Sequence, residues 1–545
     1  MSAPTPGSFG AGPFGVGAFG TAPPIAGASA FLQRMSDGTL KQINPFTGTQ
    51  VWTVPGRARR PLRAPEPATT APLTDELRTG ACAFCPEHYR QTPPEKARLV
   101  TGTQGERMIR HLRADQLFDT VADFRRIPNL FEIVSFDYWQ LNYGHKLAPA
   151  QREAMADYLS TDAGRAHVAA LVERRTQQPW AHMSQADREA HVEDFFGGGH
   201  DVIVARRHYP DDAENDGQLA SSGTLTPDEH DSYLRFTIDA QRDLYATNPY
   251  VRYVAVFQNW LRPAGASFDH LHKQLVAIDE RGMQAELEIQ RARANPNVYN
   301  EFAIDYAAQH NLTVAENDHA VAFAGFGHRY PTLEIFSRSE RPQPWLHSTT
   351  ELRGMSDLIH ALHAASGPGV PCNEEWHHKP PDGDVPMPWR VLIKWRLSTI
   401  AGFEGGTKIY LNTIDPQTLR DIVTADLLRL REQGAHRRHP ANRPRMRPGA
   451  QQPALQPGGA AYPAPGCGLP LALRPRLTGP RPRRLAKDAP SAARGRCVCG
   501  KSTAGREGPG TRGRRAGLSR AGGPPRPERR RARSRPARWN RARSP

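Results

Sequence analysis

The segment HLHKQLVAI, residues 270–278, constrains this chain more than any other stretch. It reads as a β-strand, and side chains along a strand alternate between two faces. His270, His272 and Gln274 therefore share one face, while Leu271, Lys273 and Leu275 share the other. Two imidazoles and an amide are costly inside an apolar core unless each finds a partner, so a face that carries all three reads as a site. An imidazole that is neutral near physiological pH can hold one nitrogen in a hydrogen bond and attack phosphorus with the other, which admits covalent nucleotidyl transfer. An H-x-H pair alone is also what surface histidines, or histidines of a structural metal site, look like.

Cys82-Ala-Phe-Cys85 offers two thiolates at the spacing that wraps one Zn²⁺, whose structural sites take four tetrahedral N or S ligands. A redox dithiol is the rival reading of that spacing. No second C-x-x-C occurs between residues 31 and 434, and Cys497 and Cys499 fall in the tail. Histidines then complete the set, with His208 and His270 as candidates. Cys372, standing alone, reads as packing.

The formal charge of +16 first suggests a nucleic-acid partner, but its distribution decides otherwise. Residues 435–545 hold 28 Lys and Arg against 3 Asp and Glu, which leaves 43 against 52 in residues 1–434. The body of the chain is acidic, so nucleic acid could bind only through the tail, by counterion release. That tail, rich in Arg, Pro and Gly, and the Gly-, Ala- and Pro-rich residues 1–30 lack the periodicity of a core, and both are expected to be disordered. No run approaches the roughly 18 apolar residues of a membrane span. Nor does a basic segment precede an apolar one at the N-terminus, so a cytoplasmic protein is expected, with no membrane partner.

Between the tails, strands alternate with capped helices. VIVARRHYP (202–210) reads as a strand entering a turn, and Thr226 to Glu229 forms a capping box with Pro at the first helical position, which predicts a helix over about 227–246. YVAVFQNW and HLHKQLVAI follow as strands. An echo runs through VAFAGFGHRYP (321–331), a helix opened by Ser348 to Glu351 and ending near 365, and the strand WRVLIKWRL (389–397). Asn44 to Gly48 reads as a turn within an ordered 31–60 segment. The pattern predicts an α+β fold, antiparallel sheets with packed helices, in two halves at 31–300 and 301–434. His200, after three glycines, and the pair His377 and His378 read as loop histidines without a role.

VFQNWLRPAGASFDHLHKQ (256–274) resembles the signature of galactose-1-phosphate uridylyltransferases, a branch of the histidine triad superfamily. Asn259, Gly265, Ser267, His270, His272 and Gln274 all fall in register with it, and the chain as a whole resembles an actinobacterial-type branch. The resemblance implies two histidine-triad-like halves. It casts His272 as nucleophile and Gln274, in place of a third histidine, as the mark of transfer rather than hydrolysis. Ser267 and Asn259 would join Gln274 at the phosphate oxygens, Gly265 would let backbone approach them, and Cys82, Cys85, His208 and His270 would hold Zn²⁺. The implied substrates are a nucleoside-diphosphate sugar and a sugar 1-phosphate, and a homodimer is admitted. A phosphorylase or hydrolase of the same superfamily is the alternative, and a basic-tailed nucleic-acid-binding protein with a decayed site is another. AGFEGGTKIYLN (401–412) is similar to the segment that helps bind sugar phosphate, where Lys408 reads as solvated. WRVLIKWRL carries Lys394 and no histidine where bacterial uridylyltransferases have a second metal site, so no iron-type site is expected.

Overall fold

Helices start where side chains can satisfy the free N–H groups of a first turn. In a computed structural model of the chain, the Thr226 hydroxyl accepts from the Glu229 N–H at 3.2 Å and the Glu229 carboxylate accepts from the Thr226 N–H at 2.8 Å. Ser348 and Glu351 repeat the exchange at 3.3 and 2.6 Å. The structure describes residues 31–57 and 70–434 with the backbone of 447–448. The segments expected to be disordered, 1–30 and 435–545, lie outside the described residues apart from that pair.

Along the chain the strands are β1 (Leu32–Arg34), β2 (Leu40–Ile43), β3 (Gln50–Thr53), β4 (Ala97–Gly102), β5 (Gly105–Arg110), β6 (Phe124–Pro128), β7 (His200–Ala205), β8 (Tyr253–Trp260), β9 (His272–Ile278), β10 (Thr313–Glu316), β11 (Ala320–Gly325), β12 (Thr332–Ser337), β13 (Cys372–His377), β14 (Arg390–Trp395), β15 (Ile409–Asn412) and β16 (Arg447–Pro448). The helices are α1 (Asp75–Gly80), α2 (Phe136–Tyr143), α3 (Pro149–Ser160), α4 (Asp162–Thr176), α5 (Gln185–Gly197), α6 (Pro227–Thr247), α7 (Gly282–Ala294), α8 (Tyr306–Gln309), α9 (Thr349–Ser366), α10 (Gly402–Thr407) and α11 (Pro416–Glu432). The fold is α+β. Strands β4 to β14 and β16 form one sheet in the order β16-β10-β11-β12-β14-β13-β8-β9-β7-β6-β4-β5, with antiparallel neighbours throughout.

This order is nearly symmetric about the β8–β13 pair. Outward from β8 come β9, β7, β6 and β4; outward from β13 come β14, β12, β11 and β10. Helix α6 links β7 to β8 and α9 links β12 to β13. With the Gln258–Glu374 pair as centre, register places Leu392 and Lys394 where the first half has His272 and Gln274. The nucleophile candidate thus has no counterpart in the second half.

Helices α6 and α9 cover one face of this sheet. Lys273 projects into that cover, its Nζ donating to Glu374 at 2.8 Å and Gln258 at 3.1 Å above the Tyr233 ring. Glu374 also accepts from His363 on α9 at 2.8 Å. Helices α2 to α5 form an insertion between β6 and β7 with a core of its own, which includes Phe136, Leu171 and Phe195. Strands β1 to β3 form a second sheet with β15, and the turn between β2 and β3 packs on residues 326–328 through Asn44. That turn forms as expected, with Asn44 Oδ1 accepting from the Phe46 and Thr47 N–H groups at 3.0 Å.

Three expectations need correction. Strand β9 begins at His272, so His270 precedes it, although the Ala205 N–H still donates to the Leu271 carbonyl at 3.0 Å. The echo of the first half skips β12: the turn after VAFAGFG joins β11 to β12, and β12 rather than β11 leads to the capped helix. His200, His377 and His378 are not idle loop residues. His200 opens β7 and is buried, His377 ends β13, and buried His378 stacks on Tyr253 at 4.6 Å.

Candidate active site

The loop between α1 and the 3₁₀ turn Pro86–Gln91 is closed by the Cys85 N–H donating to the Cys82 carbonyl at 3.0 Å, and it sets the two Sγ atoms 3.8 Å apart. Cys82 Sγ lies 3.5 Å from His270 Nδ1, while Cys85 Sγ lies 3.7 Å from that nitrogen and 3.6 Å from His208 Nδ1. All four ligand atoms fall within 4.8 Å of one another. Bond lengths of about 2.3 Å to sulfur and about 2.0 Å to nitrogen, arranged as a tetrahedron, put two sulfurs about 3.8 Å apart and sulfur about 3.5 Å from nitrogen. The sulfur–sulfur distance and the three sulfur–nitrogen distances given above therefore match a tetrahedral metal site. The thiols titrate as a pair. Cys85 is pulled well below its ordinary value, chiefly by the hydrogen bond from Cys82 and further by His208 and His270, while Cys82 is pushed up. His270 Nε2–H donates to the Ala205 carbonyl at 2.6 Å, the outer contact that fixes the ring of a metal-binding histidine.

His272 hangs from the same strand end. Its Nδ1–H donates to the His270 carbonyl at 2.7 Å, which leaves Nε2 as the unprotonated nitrogen. Burial is the main cause that lowers this imidazole to about 4, against the hydrogen bond to His270, so the ring is neutral. Phe84, inside the C-x-x-C loop, packs on it with ring centroids 5.2 Å apart. The cysteine loop thus steadies both histidines: one through the ligand cluster, the other through an aromatic contact.

Phe257 on β8 pairs with Gln274, so Asn259 and His272, each two residues along, stay on the same face. Asn259 Oδ1 accepts from Asn373 Nδ2 at 2.7 Å, so the other end of its amide is the donating one. Gly265 has φ +92°, a conformation that an L side chain resists, and its missing Cβ would lie 3.8 Å from Asn259 Nδ2. Ser267 is exposed on the loop between β8 and β9. Gln274 Oε1 lies 3.0 Å from Nε2 of His200. Lys408 caps α10 at φ +59°, exposed. His200 was missed because three glycines before it read as a loop; its signal is the unbroken apolar run VIV that follows.

A family model described as Domain of unknown function (DUF4921) matches residues 35–439. The chain belongs to the DUF4921 family. The ADP-glucose phosphorylase of Arabidopsis thaliana is 24% identical over 182 residues, which is 32% of this chain and 52% of that protein. The chain thus spans about half the length of the curated relative it matches. Among solved structures, an ADP-glucose phosphorylase from Arabidopsis thaliana with bound ADP-glucose aligns at 17% identity and a TM-score of 0.45, over 71% of this chain and 98% of that one. A solved uridylyltransferase aligns at 18% identity and a TM-score of 0.36, over 42% of this chain and 75% of that one. Among the described residues of this DUF4921 protein, no helix is long and apolar enough to cross a membrane.

Proposed function

We propose that the chain acts on a nucleoside-diphosphate sugar and transfers its nucleotide to a phosphate acceptor through a nucleotidyl-histidine at His272. The supporting observation is the fixed tautomer: Nδ1–H bonded to the His270 carbonyl and Nε2 free, on the face that also carries Gln274 and Asn259. Nε2 forms a bond to the α-phosphorus as the bond from that phosphorus to the bridging oxygen breaks, and the sugar 1-phosphate leaves with the electron pair. An acceptor phosphate oxygen then attacks the same phosphorus and the N–P bond breaks, restoring the neutral ring. The NH₂ groups of Gln274 and Asn259 and the Ser267 hydroxyl supply donors where charge gathers on the phosphoryl oxygens, and Gly265 lets the loop come close.

Cys82, Cys85, His208 and His270 would hold Zn²⁺, which with four protein ligands supplies a structural clamp and no open coordination position. The likeness in sequence to an ADP-glucose phosphorylase favours inorganic phosphate as acceptor, with a sugar 1-phosphate as the rival. A reducing cytoplasm would keep both thiols available to the metal.

Incubation with UDP-glucose, ADP-glucose and a GDP-sugar, each labelled at the α-phosphate, tests the reading. An acid-labile label on the protein, absent in His272→Asn, is expected; no label from any of the three sinks it. Offering inorganic phosphate, sugar 1-phosphates or water alone then identifies the acceptor by the nucleotide released.

A further inference from the structure

His200 is 1% exposed and stands at the start of β7, on the same face as Gln274, since Val202 pairs with Gln274 and His200 lies two residues before it. Both of its nitrogens are engaged. The Ile133 backbone N–H lies 3.2 Å from Nδ1, and Gln274 Oε1 lies 3.0 Å from Nε2. A backbone N–H can only donate, so Nδ1 accepts and the neutral ring carries its proton on Nε2. Asn129 Nδ2 is 3.2 Å from the same Nε2, but Asn129 Oδ1 is occupied by the Phe131 N–H at 2.9 Å. The Asn129 amide therefore offers a donor and no acceptor in that direction, and Gln274 Oε1 receives the proton.

The consequence falls on Gln274. An amide side chain has one accepting and one donating end, and rotating it by half a turn exchanges them. With Oε1 held by His200, the NH₂ end is free for the phosphoryl oxygens. Gly198, two residues before His200, serves the same arrangement: a Cβ there would meet Glu132 Oε1 at 1.8 Å and the Asp194 carbonyl at 2.9 Å. Without that Cβ, residues 129–133 can lie against the start of β7, where the Ile133 N–H reaches His200.

We propose that His200 is a positioning residue that turns the Gln274 amide so that its NH₂ faces the phosphorus attacked by His272. The proposal rests on the nucleotidyl-transfer reading above.

The test is a double-mutant cycle with His200→Ala and Gln274→Ala, alongside His200→Gln, whose amide nitrogen can stand where Nε2 does. In His200→Ala, kcat should fall by about 10- to 100-fold with KM for the nucleotide sugar changed less than about threefold. His200→Gln should recover most of that loss. In the Gln274→Ala background, His200→Ala should cost less than about twofold more. Additive losses, or a Gln variant as slow as the Ala variant, overturn the proposal. If the wild-type protein takes no label from any nucleotide sugar, the reading of function falls by itself, and crystal structures of wild type and His200→Gln and His200→Ala decide the positioning role. A Gln274 amide that keeps its rotamer and partners without His200 overturns it; one that swings away and returns in His200→Gln supports it.

Discussion

His272 and His270 are two residues apart, yet the contacts around them differ. His270 spends Nδ1 on the sulfurs and Nε2–H on the Ala205 carbonyl, while His272 keeps Nε2 unspent. Replacing His272 with Asn should leave the fold intact and reduce kcat by about 10³-fold or more, since no other imidazole shares that position. Replacing Cys85 with Ser should instead act through the metal. Elemental analysis of the purified protein is expected to find about one zinc per chain in the wild type and well below that in the variant. Zinc retained in full by Cys85→Ser would separate the cluster from metal binding.

The central strand β9 is loaded on both faces. Its site face carries His272 and Gln274, and its covered face carries Lys273, 1% exposed and paired with Glu374. Removing one member of a buried ion pair leaves the other charge uncompensated, at a cost of about 3–5 kcal/mol. Lys273→Met should lose stability on that scale in urea unfolding, and Lys273→Met combined with Glu374→Gln should recover part of it; a single variant as stable as wild type refutes the pairing. Sequence alternation revealed which residues share each face of β9. It could not reveal that a lysine on the covered face would meet a glutamate about a hundred positions later.

At the scale of the whole molecule, charge pairs between distant segments tie the halves together and set acid stability. Glu288 on α7 is fully enclosed with Arg390 on β14, which donates to both its oxygens. Burial opposes ionisation, but the Arg390 guanidinium outweighs it and lowers the carboxyl to about 2 from an ordinary 4.5. A depressed folded-state value contributes stability that is present above the unfolded value and lost as pH falls through the folded one. About 3 kcal/mol should therefore disappear between pH 4.5 and pH 2, and Glu288→Gln should flatten the stability profile in that window. An unchanged profile would refute the assignment. The Cys82, Cys85, His208 and His270 cluster joins the loop before β4, the turn after β7 and the residues just before β9; if it holds zinc as proposed, dialysis against a chelator should lower the melting temperature by about 5–10 °C, and added zinc should restore it. No shift in calorimetry would show that the cluster does not hold these segments.

The sequence by itself determined the chemistry that local rules govern. Capping boxes at Thr226 and Ser348, the pleat that puts His272 and Gln274 on one face, and a cysteine pair spaced for one metal all depend on residues within a few positions of each other. Tertiary structure decided what depends on distant pairing. It joined both halves through β8 and β13, assigned the second-half counterpart of β7 to β12, and brought His200 to Gln274 from 74 positions away. The physical reason is that caps and pleats are short-range properties of the backbone. Which strand lies beside which is settled only when a whole sheet buries its apolar face, and a histidine behind three glycines shows its partner only then.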